Sequence, residues 1–241
     1  MIAKERQVAG LVLVLDAGGS LVGDQNPARA SQGQSSIEAM NRLGYDAAAL
    51  SAADLALGAE VLRQRIAEAK FDLLSANATV ADTGTPLAKP FVVREHAGQR
   101  IAVVGLSDPT AAGRGIHVEA PLAAARRAVA AARNQADVVI LLSHAGATTN
   151  QQIADQVSGI AAVISGGEPA APGSRLGQAT GAPMFHADES SPGHAGRVLG
   201  VATLSFDAYG KLTGQSWRRI PLTPEVGEDP EILAWVSSQI Q

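Results

Sequence analysis

Residues 11–58 read LVLVLDAGGSLVGDQNPARASQGQSSIEAMNRLGYDAAALSAADLALG. The apolar run Val8 to Leu15 breaks at Asp16-Ala17-Gly18-Gly19, as a buried strand does when it runs into a loop. Ile37, Met40 and Leu43 then recur at helical spacing and predict a helix over 31–43. Ala47 to Leu50 predicts a short strand that breaks at Ser51-Ala52-Ala53-Asp54. Strand, helix and strand in this order, with polar or glycine-rich turns at the strand ends, is the repeating unit of a layered α/β fold.

The rest of the chain extends that pattern. Helices are predicted over 58–69, 121–135, 151–157 and 228–240, the last with Pro230 in its first turn. Strands are predicted over 72–76, 137–142 and 161–165. The second of these is a continuous apolar run suited to a sheet interior. Phe91–His96 and Arg100–Leu106 flank Ala97-Gly98-Gln99 as a hairpin, and residues 197–207 and 211–220 flank Ala208-Tyr209-Gly210 as another. Residues 166–183, rich in Gly, Pro and Ala, are read as a loop. Neither a linker nor an internal repeat interrupts the chain. The expectation is an α/β fold with two stacked mixed β-sheets flanked by helices, forming a single domain over residues 1–241.

Composition narrows the function classes. Hydrophobic residues make up 46% of the 241 and charged residues 17%, a balance that buries a core. Aromatic residues are only 3%, so that core is built from small aliphatic side chains. A net charge of -4 provides no electrostatic footprint for nucleic acid. The absence of cysteine excludes disulfides, thiolate metal sites and a cysteine nucleophile. No segment has the length of an apolar membrane span, and residues 1–10 lack the pattern of a signal peptide. The excess of Arg over Lys and the abundance of Ala follow a GC-rich coding sequence, as in many bacteria.

The two strand ends in the opening segment resemble those of the calcineurin-like metallophosphoesterases, specifically the catalytic domain of the 5'-nucleotidases. FDLLSANATV (71–80), KPFVVREHAGQRIAVVGLSDP (89–109), ADVVILLSHAGATTNQQIADQVSGIAAVISGG (136–167) and EDPEILAWV (228–236) resemble further segments of that domain in the same order. The resemblance implies a metallophosphoesterase-like sandwich. It also implies a two-metal phosphoester hydrolase, in which paired ions about 3.5–4 Å apart activate water and neutralise the phosphoryl group. An extracytoplasmic location, periplasmic or secreted, is implied on the same ground.

Most of the ligands implied by the family are replaced. Gly19 stands at the position of the bridging Asp, and Ala52 and Ala53 at those of the Asn and His. The family's Gly-His-x-His is Gly166-Gly167-Glu168-Pro169. Its first motif, Asp-x-His, has no counterpart and would precede residue 1, so the chain is expected to be trimmed at its N-terminus or to have lost that strand. Ser143-His144-Ala145-Gly146 keeps the Ser-His-x-Gly motif, and Asp54 keeps an acid where the family's Glu is not a primary ligand. Glycine, alanine and proline side chains cannot coordinate metal, and one imidazole cannot hold two ions.

Three readings follow. The leading one is a non-catalytic domain with a scaffold or binding role, no catalytic residues, no cofactor, and a protein or small molecule as its partner. The second is an active nucleotidase-like hydrolase with Mn, Zn or Fe held by His144, Asp54 and Glu168. The third is a metal-free binder of phosphate or another small molecule. Asp24 is a further residue whose loop converges on the same sheet edge. Asp16, at a strand end, is read as a hydrogen-bonding support of its loop. The His186-Ala187-Asp188-Glu189 stretch with His194 is read as an exposed turn, and Arg126, Arg127 and Arg133 as a solvated helix face. Ala17-Gly18-Gly19-Ser20 and Ser165-Gly166-Gly167 are glycine turns with the character of anion nests but without the Lys-Ser/Thr of a phosphate loop.

Overall fold

Strand Val138–Ser143 is buried at every position, which places it in the middle of a sheet covered on both faces. The computed structural model describes residues 1–8, 10–23, 26–111, 114–167, 175–187 and 197–239. In chain order the elements are α1 (Ile2–Val8), β1 (Leu15–Asp16), α2 (Gln34–Leu43), β2 (Ala47–Ala49), α3 (Ala52–Leu55), α4 (Ala59–Glu68), β3 (Asp72–Leu74), β4 (Ala78–Val80), β5 (Phe91–His96) and β6 (Gln99–Leu106). They continue with β7 (Ile116–Val118), α5 (Pro121–Arg133), β8 (Val138–Ser143), α6 (Ala147–Gln156), β9 (Ala162–Ser165), β10 (Arg175–Leu176), β11 (Pro183–His186), β12 (Val198–Phe206), β13 (Leu212–Pro221) and α7 (Pro230–Gln239).

Two sheets form the frame. The smaller runs β1-β2-β3, all parallel, and the larger runs β10-β11-β9-β8-β6-β5. In the larger, β11, β9, β8 and β6 are parallel and the two edges are antiparallel. Alternation of side chains along each strand divides the core into three layers. Ala47, Ala49 and Leu74 of the small sheet meet Ile101, Val103, Val138, Ile140 and Leu142 of the large one. On the far side of the large sheet, Val104, Leu106, Val139, Leu141 and Val163 pack on the alanine face of α5 and on Ile153 and Ala154 of α6. On the far side of the small sheet, Ala48 and Leu73 pack on Ile37 and Met40 of α2, Leu55 of α3 and Leu62 of α4. This is the expected pair of stacked sheets flanked by helices.

Small residues set how closely the sheets approach. A Cβ on Gly105 of β6 would lie 2.5 Å from Leu74 Cβ and 2.6 Å from Leu74 O. The hairpin β12–β13 seats on the large sheet through Trp217, which stacks on Phe185 with ring centroids 5.1 Å apart. Gly200 makes room for it, since a Cβ there would fall 2.0 Å from Trp217 Cη2.

The first strand is far shorter than the apolar run 8–15 predicts. Val8 closes helix α1, and the ladder holds only Leu15 and Asp16. The physical reason is that β1 has a hydrogen-bonded neighbour on one side only, and before Leu15 the N–H of Val14 is taken by the Asp46 carboxylate at 2.7 Å. α1 is held by Arg6 to Gly44 O and by an ion pair between Glu5 and Arg218.

Within the predicted loop 166–183, β10 forms and β11 begins. The burial of Met184 and Phe185 supplies what glycine-rich composition concealed. β4, β7 and α3 were not anticipated either. Each is four residues or fewer, too short for a periodic signal.

Replacing Gly105 by Ala drives a methyl into Leu74 of the facing sheet and forces the two sheets apart there. The expected cost is about 2 kcal/mol, read as a lower urea midpoint at unchanged m-value.

Candidate functional site

The C-terminal ends of β1, β2, β8 and β9 open on one cleft, where open α/β sheets place their functional groups. Asp16 ends β1, Ser51 and Asp54 follow β2, His144 follows β8, and Gly166-Gly167 follow β9. The structure thus brings Asp54 and His144 together, with Asp16 beside them. Asp24 and Glu168 lie outside the described residues, as do Pro169, Asp188, Glu189 and His194.

Asp54 has no exposed surface and its carboxylate is saturated. Oδ2 accepts from Ser51 N at 2.8 Å, Ser51 Oγ at 2.8 Å and Gly19 N at 3.0 Å, and Oδ1 accepts from Leu21 N at 3.1 Å. Ser51 Oγ in turn accepts from Asp54 N, which completes a capping box at the start of α3. Asp54 therefore joins the loop after β1 to the loop after β2, with both oxygens engaged and no exposed surface.

Asp16 is half-buried, and its Oδ1 accepts from Gly18 N at 2.7 Å. Desolvation raises its pKa above the ordinary 3.8, and repulsion from Asp54 adds to this. Hydrogen bonds from Ser20 and Gly18 and the proximity of His144 oppose it without cancelling it.

His144 is held through its N–H to Leu106 O at 3.0 Å. Its ring lies among four glycines. A Cβ on Gly18 would come 3.2 Å from its Cδ2, one on Gly19 3.5 Å from Nε2, one on Gly166 2.9 Å from Cδ2 and one on Gly167 3.1 Å from Cε1. Gly18, Gly19 and Gly167 have φ of 105°, 91° and 77°, a backbone that side-chain-bearing residues rarely adopt.

These donors do not fit a dinuclear metal centre. Among the described residues no group of three or more His, Asp or Glu is placed to hold an ion. The Gly19 and Gly167 positions, which face the His144 ring, offer no side chain, and Asp54 is fully engaged. Among the described residues the strand ends offer an imidazole, a half-buried carboxyl and glycine backbone.

Sequence reasoning missed the polar contacts behind the site. Ser143 Oγ bonds Asn150 Oδ1 at 2.6 Å, and Asn77 Nδ2 bonds Ser107 O at 2.9 Å while its Oδ1 accepts from Ser107 N at 2.9 Å. The apolar runs around them carried no sign of this pairing. His186, read as part of an exposed turn, is a correction: it ends the buried strand β11, 6% exposed, with Nδ1 3.1 Å from Ser165 Oγ. Burial of Phe185 beside it decides this. Arg126 and Arg127 lie on the exposed face of α5, as expected, Arg127 paired with Glu119.

Sequence comparison finds relatives among the 5'-nucleotidases. A probable 5'-nucleotidase of Treponema pallidum is 34% identical over 163 residues, covering 64% of this chain and 27% of the relative. UshA of Escherichia coli K12 is 35% identical over 111 residues, covering 46% of this chain and 20% of that protein. Among solved structures, the calcineurin-like phosphoesterase YfkN of Bacillus subtilis superposes with a TM-score of 0.81 at 21% identity, covering 99% of this chain and 85% of that one. This chain has the fold of that calcineurin-like phosphoesterase and is similar in sequence to the 5'-nucleotidases. SoxB of Thermus thermophilus, a sulfate thiohydrolase, shares the fold at a TM-score of 0.82 and 23% identity, over 95% of this chain and 42% of that one. No protein-family model matches the sequence. This 5'-nucleotidase-like chain spans about a quarter of the length of the curated relatives named above. Among its described residues no helix is long and apolar enough to cross a membrane.

Two outcomes follow. Asp54→Ala strands three backbone donors and one hydroxyl, three of these four groups on residues that are themselves buried. It should lower unfolding stability by about 3 kcal/mol or more in urea titration.

Asp16 gives the opposite sign. Its folded-state pKa is raised, so the contribution it makes is present below 3.8 and is lost as pH rises through the folded value. Asp16→Asn keeps an oxygen for the Gly18 N–H and removes the cost of the buried charge. It should melt higher than wild type near neutral pH, with the advantage vanishing as pH falls below 3.8.

Proposed function

We propose that this chain is a non-catalytic 5'-nucleotidase-like domain, a single unit over residues 1–241, that serves as a scaffold or binding module, with no metal cofactor. Its partner is a protein or small molecule, and its location is extracytoplasmic, as the family resemblance implies. The observation that carries this reading is the cage of Gly18, Gly19, Gly166 and Gly167 around His144. Where the resemblance implies acidic and imidazole ligands, glycines stand so close that an added Cβ would lie 3.5 Å from the ring at position 19 and 3.1 Å from it at position 167. The saturated carboxylate of Asp54 supports the same reading, because that acid acts as a structural cap.

Regaining a ligand at Gly19 would require a side chain at a φ of 91°, so reversal takes more than one substitution. The competing reading, an active metal-dependent phosphoesterase, needs His144 and Glu168 to rebuild a site together with a donor other than Asp54.

The test is metal content together with turnover. The protein is incubated separately with Mn, Zn and Fe, desalted, and analysed by plasma mass spectrometry, and hydrolysis of adenosine monophosphate and p-nitrophenyl phosphate is assayed. Less than about a tenth of an equivalent of each metal and no hydrolysis above the blank are expected. One equivalent or more, lost in His144→Ala together with hydrolysis, would overturn the proposal in favour of a rebuilt hydrolase.

A further inference from the structure

At the opposite end of the large sheet from His144, a groove of about 440 Å³ opens between the start of β8, β9 and β11, the end of α5 and the β12–β13 turn. That volume lies within the range of small-ligand sites. Arg133, Tyr209 and Lys211 line it, together with Asp137 and the main chain of Gly159 and Gly210.

The charges in this groove do not balance. Asp137 is already satisfied: Oδ2 accepts from Arg100 N at 2.8 Å, and Oδ1 pairs with the Arg100 guanidinium at 3.2 Å. The side chains of Arg133 and Lys211 have no hydrogen-bond or ion-pair partner among the described residues. Two uncompensated cations therefore face one cavity in a protein whose net charge is -4.

Arg133 packs over a glycine and Lys211 extends from a fixed turn, while both side chains stay exposed. Arg133 lies across Gly159, where a Cβ would fall 2.4 Å from its Cδ and 2.8 Å from its Nε. A side chain at position 159, where φ is 91°, would be strained and would displace Arg133 from this path. Lys211 is presented by a turn that Asp207 ties down, its Oδ1 accepting from both Tyr209 N and Lys211 N at 2.9 Å. Gly210 seats this turn on the start of β8, since a Cβ there would lie 2.6 Å from Asp137 O. The turn leaves the Tyr209 side chain 92% exposed at the rim, in a chain with only 3% aromatic residues.

We propose that this groove binds a small multivalent oxyanion between Arg133 and Lys211, with the Tyr209 ring offering a face to a flat group attached to that anion. Arg133 supplies a planar fork of donors and Lys211 a point charge, a pairing suited to phosphate or polycarboxylate oxygens. The site is independent of His144 and of whether the cleft there is catalytic.

Isothermal titration with inorganic pyrophosphate at low ionic strength tests this. Wild type should bind saturably, and more weakly as salt is added. The double variant Arg133→Ala/Lys211→Ala should bind about tenfold more weakly or worse. Both side chains are exposed, so its melting temperature should stay near wild type and report an intact fold. His144→Ala should bind as wild type does. Absence of saturable binding to wild type, an unchanged affinity in the double variant, or loss of binding in His144→Ala instead would each overturn the proposal.

Discussion

The carboxylate of Asp54 is the contact on which the cleft depends. Two loops leave adjacent strands of the small sheet, and each carries backbone N–H groups that no ladder satisfies. Asp54 collects Gly19 N, Leu21 N and Ser51 N on its two oxygens, together with the Ser51 hydroxyl. A charged acceptor meeting several fixed donors with no water between them is strongly favoured. The result is a Gly18-Gly19 turn held at positive φ and pressed against the His144 ring. The shape of the cleft thus follows from a buried acid acting as a clamp.

The frame around that clamp is assembled from small residues. Ala47, Ala49 and Gly105 let the two sheets approach until Leu74 touches both, and the alanines of α5 let that helix lie close on β6 and β8. Such packing tolerates little change in volume, because close-packed interiors have few voids to absorb an added methyl. It also accounts for the low aromatic content. Where a large ring does appear, as at Trp217, a glycine opposite makes the room.

The likeness to 5'-nucleotidases and the proposed loss of catalysis rest on different kinds of observation. The likeness rests on the fold and on sequence similarity along the chain, both properties of the frame. Catalysis on such a fold would rest on a few side chains at strand ends, and the frame does not depend on them. Function is carried by sites placed on folds, so the same architecture can host a changed role. The groove at the far end of the large sheet uses the same frame, with charges supplied by a helix end and a hairpin turn.

The order of the longer helices and strands from α2 onward, both hairpins and the residue types at the positions where the resemblance implies ligands were legible in the sequence, because each is a local property of spacing or of residue type. The unbroken apolar run of β8 also announced that this strand lies inside its sheet. The short strand β1, the buried strand β11 and the one-turn helix α3 were not legible. Each is decided by a partner distant in sequence: Asp46 for Val14, β9 for β11, and Asp54 with Ser51 for α3. The same holds for the site. The sequence by itself determined that Gly19, Ala52 and Ala53 bring no ligands, since a side chain without donor atoms cannot coordinate in any fold. Only the tertiary structure decided that Asp54 is a clamp, that four glycines enclose His144, and that Arg133 and Lys211 share a groove. Those outcomes depend on which backbone donors and which charges are brought within a few ångströms of one another, and chain order does not encode that distance.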